Sequence, residues 1–269
     1  MLAACAALTL TAQPDPREIV RRAVANELGP SSEFALRYNY TERIRVKNLD
    51  SEGKTRSVLT KTHSVLLLDG SPYRILLEEN GEPAPLKDPE AQQKELQRVL
   101  ALRRQESAAQ RERRLAEFKS RRERYDKAIR EIPDAFQFRL LREELHRGRP
   151  TYLIEATPRP GYRPIDRYSR LFTQVSGRLW IDKEEGFWTR LDAELLDTVT
   201  FGWILVRIHA FSRVLMTQTR HAPGVWLPEQ MWYRVSLRVG LLRYYHLEED
   251  TLYSDYVPAQ EDPRLARLR

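Results

Sequence analysis

The sequence has a single cysteine, Cys5, among its 269 residues. One thiol cannot form an internal disulfide or a zinc site built on cysteines, and removal of the N-terminal segment would exclude thiol catalysis as well. Long apolar runs are also missing. Beyond the N-terminus the longest stretch without a charged residue is 198–206, whereas a membrane-spanning helix needs about 20 apolar residues. The sequence therefore predicts a chain with no structural disulfide and no membrane-spanning helix.

Motifs that carry catalysis are absent too. The sequence contains no GxSxG, GxGxxG or Walker-type phosphate loop, and its five histidines never form an HxxxH pair. Asp192 with Glu194, and the acidic run 248–250, lie on predicted strands, where a solvated face or structural salt bridges are the simpler explanations. Glycosidase-type catalysis needs opposed carboxylates in a cleft. We therefore predict no catalytic residue, no metal ligand and no cofactor.

The first twelve residues carry no charge and resemble the apolar core of a secretory signal, followed by Gln13 and Pro14. We interpret residues 1–13 as a signal-peptide remnant and expect an exported protein. Leu2-Ala3-Ala4 precedes Cys5 as in a lipobox, so a lipid anchor at Cys5 is one alternative. A buried N-terminal helix turn is the other.

The next part of the chain predicts one helix and then a meander of strands. Residues 16–28 have apolar side chains at helical spacing, with Asp15 as N-cap, Pro16 in the first turn and Gly29-Pro30 as the stop. Residues 34–46 alternate between apolar and polar side chains, which indicates a strand. Strands are also expected over 57–68 and 73–79, because turn residues separate them.

Residues 89–132 predict a long helix or helix pair that ends before Pro133. Positions 92–131 hold 13 Lys or Arg and seven Asp or Glu, which is six of the chain's seven net positive charges. Interleaved acids, including the pairs Glu117–Arg121 and Glu123–Lys127, favour a solvated helical arm. Contact of the arm with an anionic membrane surface is an alternative, and nucleic acid is disfavoured. An apolar line in its C-terminal half is expected to pack on the sheet: Leu115, Phe118, Tyr125, Ile129 and Ile132. A smaller line follows its N-terminal half: Leu96, Val99, Leu100 and Leu102.

After Pro133 the period-two pattern returns and continues to residue 256. Strands are expected over 136–145, 152–156, 171–182, 188–196, 211–221, 229–239 and 242–256. With the meander, the sequence predicts about ten strands. The fold class is α+β and mainly β.

Three strings and the order of elements carry a resemblance. They are Gly-Arg-Leu-Trp-Ile-Asp-Lys at 177–183, Gly-Val-Trp-Leu-Pro at 224–228 and Tyr-Ser-Asp-Tyr at 253–256. The chain resembles the LolA/LolB/LppX-like superfamily of envelope proteins, which includes outer-membrane lipoprotein-sorting factors, best over 150–256 and more weakly over 19–81. The resemblance implies a strongly curved, open antiparallel half-barrel around the N-terminal helix, with an apolar concavity for acyl chains. One LolA-like domain would span 14–256, with a helical insertion at 86–132 and a tail at 257–269.

In such a half-barrel, the apolar side chains on one face of the strands point into the concavity. The expected ligand contacts are Leu179, Ile181, Leu191, Leu195, Phe201, Trp203, Val235 and Leu237. The apolar run 199–206 has two interpretations, a strand packed in the core or a lid in which Phe201 and Trp203 touch the ligand.

The sequence thus predicts a non-enzymatic protein of the periplasm, or of the periplasmic face of the outer membrane, that binds a lipid or the acyl chains of a lipoprotein. One alternative is an envelope interaction module whose helical arm docks a protein partner. A second alternative is an envelope hydrolase.

Overall fold

The computed structural model describes residues 13–29, 37–165, 169–201, 206–240 and 242–266. The predicted signal segment with Cys5, residues 34–36 of the first predicted strand, and Trp203 lie outside the described residues. Within the described ranges, no helix is long and apolar enough to cross a membrane.

Helix α1 (Pro16–Leu28) begins where the sequence predicts it. The Asp15 side chain accepts a hydrogen bond from the backbone N of Arg17 at 2.9 Å. Pro16 occupies the first turn, where a backbone N–H would lack an intrahelical partner. Val20, Ala23 and Val24 form the buried face of the helix.

Thirteen strands are formed by the described residues, three of them very short. The ten longer ones are confirmed with shifted ends: β1 Tyr38–Leu49, β2 Thr55–Leu68, β3 Ser71–Glu79, β5 Phe136–His146, β6 Arg149–Pro158, β7 Val175–Asp182, β8 Trp188–Leu195, β11 Arg213–Ala222, β12 Val225–Val239 and β13 Arg243–Pro258. The short ones are β4 Glu82–Pro83, β9 Val199–Phe201 and β10 Val206–Ile208.

All strand pairs are antiparallel, and the sheet follows the order β4-β3-β2-β1-β13-β12-β11-β8-β7-β6-β5 without closing into a barrel. The C-terminal strands therefore lie in the middle of the sheet and join the N-terminal meander to the strands of the chain's second half. This is the curved, open antiparallel sheet around a helix that the resemblance implied.

One face of the sheet, here called the concave face, is covered by α1 and by part of the helical arm. The arm consists of α2 (Pro89–Arg104) and α3 (Ala108–Ala135). Ile129 and Ile132 of α3 pack with Val20 of α1, Ile154 of β6 and Ile181 of β7 in the main core. The predicted packing of the arm's C-terminal half is confirmed.

Helix α2 forms a second core on the outer strands of the meander. Leu96 and Val99 are buried against Leu66, Leu68 and Ile75 of β2 and β3. The arm is thus packed at both ends. A short helix, α4 (Pro263–Ala266), lies within the residues assigned to the tail, and its Leu265 packs on this second core.

The arm is the helix pair rather than the single long helix, and two other local expectations are corrected. The arm breaks at 105–107, where Ser107 begins α3 with a capping box that includes Gln110. Helix α3 also runs through Pro133 into its last turn. The pairs expected at i,i+4 are replaced by Arg122–Asp126 at 2.8 Å and Lys119–Glu123 at 3.9 Å.

The segment before β7 and the apolar run 199–206 also differ from a simple strand. Ser169–Gln174 is a 3-10 turn, so the predicted strand over 171–182 begins only at Val175. In the run, Val199 is buried, and β9 pairs with β10, which in turn pairs with the end of β12. Glycine at 177 is required by close packing, because a Cβ there would lie 2.6 Å from the carbonyl oxygen of Asp192.

Candidate functional site

The concave face keeps an open space where α3 passes over the middle of the sheet. We call this cavity of about 550 Å³ the tyrosine cavity. Its volume lies in the range of small-molecule sites, about 300–1,000 Å³. Four tyrosines form the wall on the sheet: Tyr38, Tyr40, Tyr253 and Tyr256. Phe118 and Arg121 of α3 face them from the helix side.

A bulge in β13 brings the tyrosines together. Asp255 has a positive φ of 56°, and the β1–β13 register shifts between Asn39 and Thr41. A bulge re-aims the side chains that follow it, so Tyr253 and Tyr256, three residues apart, both line the cavity. The ring centroids of Tyr40 lie 5.9 Å from Tyr253 and 5.5 Å from Tyr256.

The tyrosine hydroxyl groups are neutral donors and acceptors. Burial raises the pKa of Tyr40 and Tyr256, and it raises the pKa of Tyr253 to about 12. The Tyr256 hydroxyl donates to the backbone O of Pro228 at 2.7 Å. The wall therefore offers ring faces together with hydroxyl groups, which suits a ligand that is apolar with some polar atoms.

Arginines surround the wall, and most are already engaged. Arg114 binds Asp69 at 2.7 Å and Glu106 at 2.8 Å, which holds the start of α3 against the β2–β3 turn. Arg122 binds Asp126. Arg121 is exposed at the cavity and forms no ion pair within the described part of the chain. A cation is thus available to an anionic group at this side of the cavity.

An ion pair whose carboxylate is buried lies beside the tyrosine wall. Glu42 is only 5% exposed and accepts from Nε of Arg74 at 2.9 Å, and Arg74 also lines the cavity. His63 Nδ1 lies 4.0 Å from Glu42, and burial, the largest effect, lowers the pKa of His63. His63 is therefore neutral at physiological pH, and Arg74 balances the charge of Glu42.

Glu27, near the end of α1, contributes a carboxyl group to the opposite side of the cavity. It accepts hydrogen bonds from the Tyr125 hydroxyl at 3.1 Å and from Gln218 Nε2 at 3.3 Å. Burial is the largest effect and raises the pKa of Glu27 above its ordinary value of 4.5, although both hydrogen bonds oppose the shift. The cavity thus holds a carboxyl group, that of Glu27, whose ionisation is costly.

We expect Glu27→Gln to raise the free energy of unfolding at neutral pH. A carboxyl group with a raised folded pKa binds its proton more tightly in the folded chain, so its ionisation destabilises the fold as pH rises above 4.5. The amide keeps an acceptor for Tyr125 and carries no charge. Chemical denaturation at several pH values measures the difference, which should disappear below pH 4.5. A variant less stable than the parent at neutral pH would show that the carboxylate stabilises the fold.

A second, smaller cavity of about 340 Å³ lies on the concave face between β8, β11 and β12. We call it the apolar cleft. Most of its lining side chains are aliphatic or aromatic: Leu171, Val175, Leu195, Ile208, Val214, Tyr233 and Val235. Between the two cavities the strand register places Met216 of β11 opposite Met231 of β12 and beside Leu191 of β8. Apolar side chains thus join the two cavities along the sheet.

The structure distributes the residues predicted as ligand contacts over three places. Leu195 and Val235 line the apolar cleft, and Leu237 follows Val235 on the same face of β12. Leu179 and Ile181 are buried in the main core beneath α1, and Leu191 packs at its edge. Phe201 ends β9, opposite Val206. Trp203 lies outside the described residues. The tyrosines, by contrast, were not among the predicted contacts.

Two of the acidic residues considered for catalysis, Asp192 and Glu248, are engaged in ion pairs. Asp192 binds Arg213 at 2.7 Å and Arg190 at 3.1 Å. Glu248 binds Lys47 at 2.6 Å and Arg234 at 2.8 Å. The salt-bridge interpretation is confirmed for Asp192 and Glu248, whereas Glu249 accepts a hydrogen bond from the Tyr233 hydroxyl and Asp250 accepts one from Gln230 Nε2, both at 2.7 Å. Among the described residues, no group of three or more His, Cys, Asp or Glu side chains could hold a metal ion.

Comparison with known proteins shows that this chain is similar to several solved structures. No family model matches the chain, and no curated protein matches it. A structure described as an outer membrane lipoprotein-sorting protein domain from Vibrio parahaemolyticus is 10% identical, with a TM-score of 0.36, and the match covers 94% of this chain and 98% of that one. A LolA superfamily protein from Nitrosomonas europaea is 13% identical, with a TM-score of 0.28 and coverage of 91% and 93%.

This chain is similar to structures of the LolA superfamily. The Pseudomonas aeruginosa MucA/MucB complex is also similar, at 8% identity and a TM-score of 0.24, over 89% of this chain and 94% of that one. The similarity concerns the arrangement of the fold alone. What the site binds is therefore argued from its own residues.

Proposed function

We propose that this chain is a non-enzymatic protein of the cell envelope that binds an acyl-chain amphiphile, a lipid or the acylated part of a lipoprotein, on the concave face of its sheet. The observation that carries the proposal is the pair of cavities on one face, joined by Met216, Met231 and Leu191. One cavity is apolar, and the other combines tyrosine rings with an unpaired arginine. An amphiphile has the same two parts.

The acyl chain would lie in the apolar cleft and extend over Met216, Met231 and Leu191 toward the tyrosine cavity. Each methylene removed from water contributes about 0.8 kcal/mol. The head of the ligand would lie in the tyrosine cavity, where hydroxyl groups and Arg121 provide donors. Charge-assisted hydrogen bonds to an anionic head are stronger than those between neutral groups. The predicted contacts Leu195 and Val235 belong to the chain-binding part of this proposal.

A fluorescent fatty-acid probe tests the proposal directly. We expect saturable binding that unlabelled fatty acid displaces. We expect Val235→Trp to weaken probe binding at least about tenfold. The indole would occupy space in the apolar cleft, so that several methylene groups of the acyl chain could no longer be buried there. Leu145→Trp, at an exposed leucine that lines neither cavity, is the control. The absence of saturable binding by the parent protein would refute the proposal.

Export is part of the same proposal and rests on the uncharged N-terminal segment. N-terminal sequencing of protein from the envelope fraction should begin near Gln13 or Pro14. An intact Met1 on cytosolic protein would refute export, and an acylated Cys5 would show a lipid anchor instead.

A further inference from the structure

The hairpin that joins β12 to β13 ends in a group of exposed apolar side chains. We call this group the hairpin tip and define it as Val239, Leu242, Tyr244 and Tyr245. Leu242 is 87% exposed and Tyr244 is 55% exposed. Single exposed apolar residues are ordinary, but a cluster at one projecting end marks an interaction site.

The tip presents apolar groups on both faces of the hairpin. In the β12–β13 register Arg238 lies opposite Tyr244, and Leu237 lies opposite Tyr245. Successive residues of a strand point to opposite faces, so the two tyrosines face opposite ways, and Leu242 occupies the turn. A protein partner that docks on one face would leave the other face in water. A bilayer, by contrast, would surround an inserted tip on all sides and cover the apolar groups of both faces.

Arginines flank the tip without carboxylate partners. Arg207 of β10 lies directly opposite Arg238 of β12, so both side chains lie on the same face, and like charges in that position destabilise a strand pair. Neither forms an ion pair within the described residues, and the Nε atoms of both lack a hydrogen-bond partner there. Arg238 lies over the Tyr244 ring, 5.9 Å from its centroid. Exposed Arg243 adds a third charge next to the turn.

This combination matches the chemistry of an anionic membrane surface. Tyrosines and aliphatic side chains enter the boundary between headgroups and acyl chains, and cations one or two residues away meet the phosphates. An anionic phosphate near Arg207 and Arg238 would also relieve the repulsion between them. We propose that the hairpin tip docks this protein on an anionic bilayer, with Leu242 and Tyr244 inserted and the two arginines at the headgroups.

The proposal is independent of any ligand on the concave face, and it differs from membrane contact through the helical arm. Many basic groups of the arm are engaged with the protein's own acids, including Arg98 with Glu95 at 2.7 Å and Arg111 with Asp69 at 2.9 Å. The charges at the tip have no such partners. The tip and the arm can therefore be separated by substitution.

Vesicle flotation with the full chain tests the tip. The probes are vesicles of phosphatidylcholine alone and vesicles of phosphatidylcholine with phosphatidylglycerol. We expect the parent protein to float with the anionic vesicles only and to be released by high salt, because salt screens exposed charges. Arg207→Gln combined with Arg238→Gln should weaken binding at least about tenfold. Leu242→Ser combined with Tyr244→Ser should also weaken it, with an unchanged circular dichroism spectrum.

Two controls match these variants. Leu145→Ser changes a leucine that is 73% exposed at the β5–β6 turn, toward the opposite end of the sheet. Arg104→Gln combined with Arg113→Gln removes two exposed arginines of the arm that form no ion pair within the described residues. Both controls should bind as the parent does. Loss of binding in the arm variant but not in the tip variants would overturn the proposal. A parent protein that ignores both kinds of vesicle would also overturn it, and tip variants that then alter its oligomeric state would assign the tip to a second copy of the chain.

Discussion

Replacing Leu96 with alanine is expected to lower the free energy of unfolding by about 2–5 kcal/mol. Leu96 is fully buried between α2 and strands β2 and β3, where it packs with Leu66 and Ile75. Removing the side chain leaves a cavity that the surrounding sheet cannot readily close. Chemical denaturation followed by circular dichroism measures the change. A loss of this size would be a large fraction of the 5–15 kcal/mol that holds a typical domain together.

Leu102 on the same helix is the matched control for Leu96. It is 52% exposed, so Leu102→Ala should change the free energy of unfolding by no more than about 0.5 kcal/mol. Equal, small effects at both positions would show that α2 is a solvated appendage.

The second large effect is expected on ligand binding. Leu67 of β2 lines the tyrosine cavity beneath α3. In Leu67→Trp the indole would extend into the open space of the cavity and exclude the ligand. We expect binding of a fluorescent fatty-acid probe to fall at least about tenfold. Overpacking a full core costs about 1–3 kcal/mol, so the loss of stability here should be smaller than that.

Leu59→Trp is the control for Leu67→Trp. Leu59 lies on the same strand and, by strand alternation, on the same face, but it does not line the cavity. This variant should bind the probe as the parent protein does. Unchanged binding by Leu67→Trp, with weakened binding by Val235→Trp, would restrict the ligand to the apolar cleft. Unchanged binding by both variants would contradict the proposed location on the concave face.

The sequence predicts the strands well wherever alternation is regular. The alternating residues of β1 and β12 predict the strands that form, and Asp15 with Pro16 marks the start of α1. Strand ends are less accurate. Leu171 continues the alternation of β7 in the sequence yet lies in a 3-10 turn, because period two does not report where a strand stops pairing.

The candidate site was harder to predict than the fold, for two physical reasons. First, the expected contacts assume an empty half-barrel, whereas α1 and the C-terminal half of α3 fill the concave face over Leu179 and Ile181. How far a helix covers a sheet depends on long-range packing. Second, strict alternation places Tyr253 and Tyr256 on opposite faces of β13. The bulge at Asp255 puts both in one cavity, and an Asp within Tyr-Ser-Asp-Tyr is the only sequence signal for it, since Asp tolerates positive φ.

The charge pattern of the arm likewise predicted some of the ion pairs correctly and missed others. The interleaved acids and bases of the arm predicted ion pairs, and ion pairs are present, but several join the arm to other parts of the chain. Arg114 binds Asp69 of the β2–β3 turn, and Arg122 donates to the backbone O of Glu27 at 3.2 Å. Helical spacing identifies only the partners within one helix.

Native mass spectrometry of the protein, purified gently from the envelope of its own cells, tests the central claim most directly. We predict a population of protein carrying one amphiphile, whose mass after release identifies an acyl chain and its head. Added fatty acid should displace it, and Leu67→Trp and Val235→Trp should carry less of it than Leu59→Trp does. Protein that is free of any amphiphile under these conditions, and that takes up none when fatty acid is added, would contradict the claim.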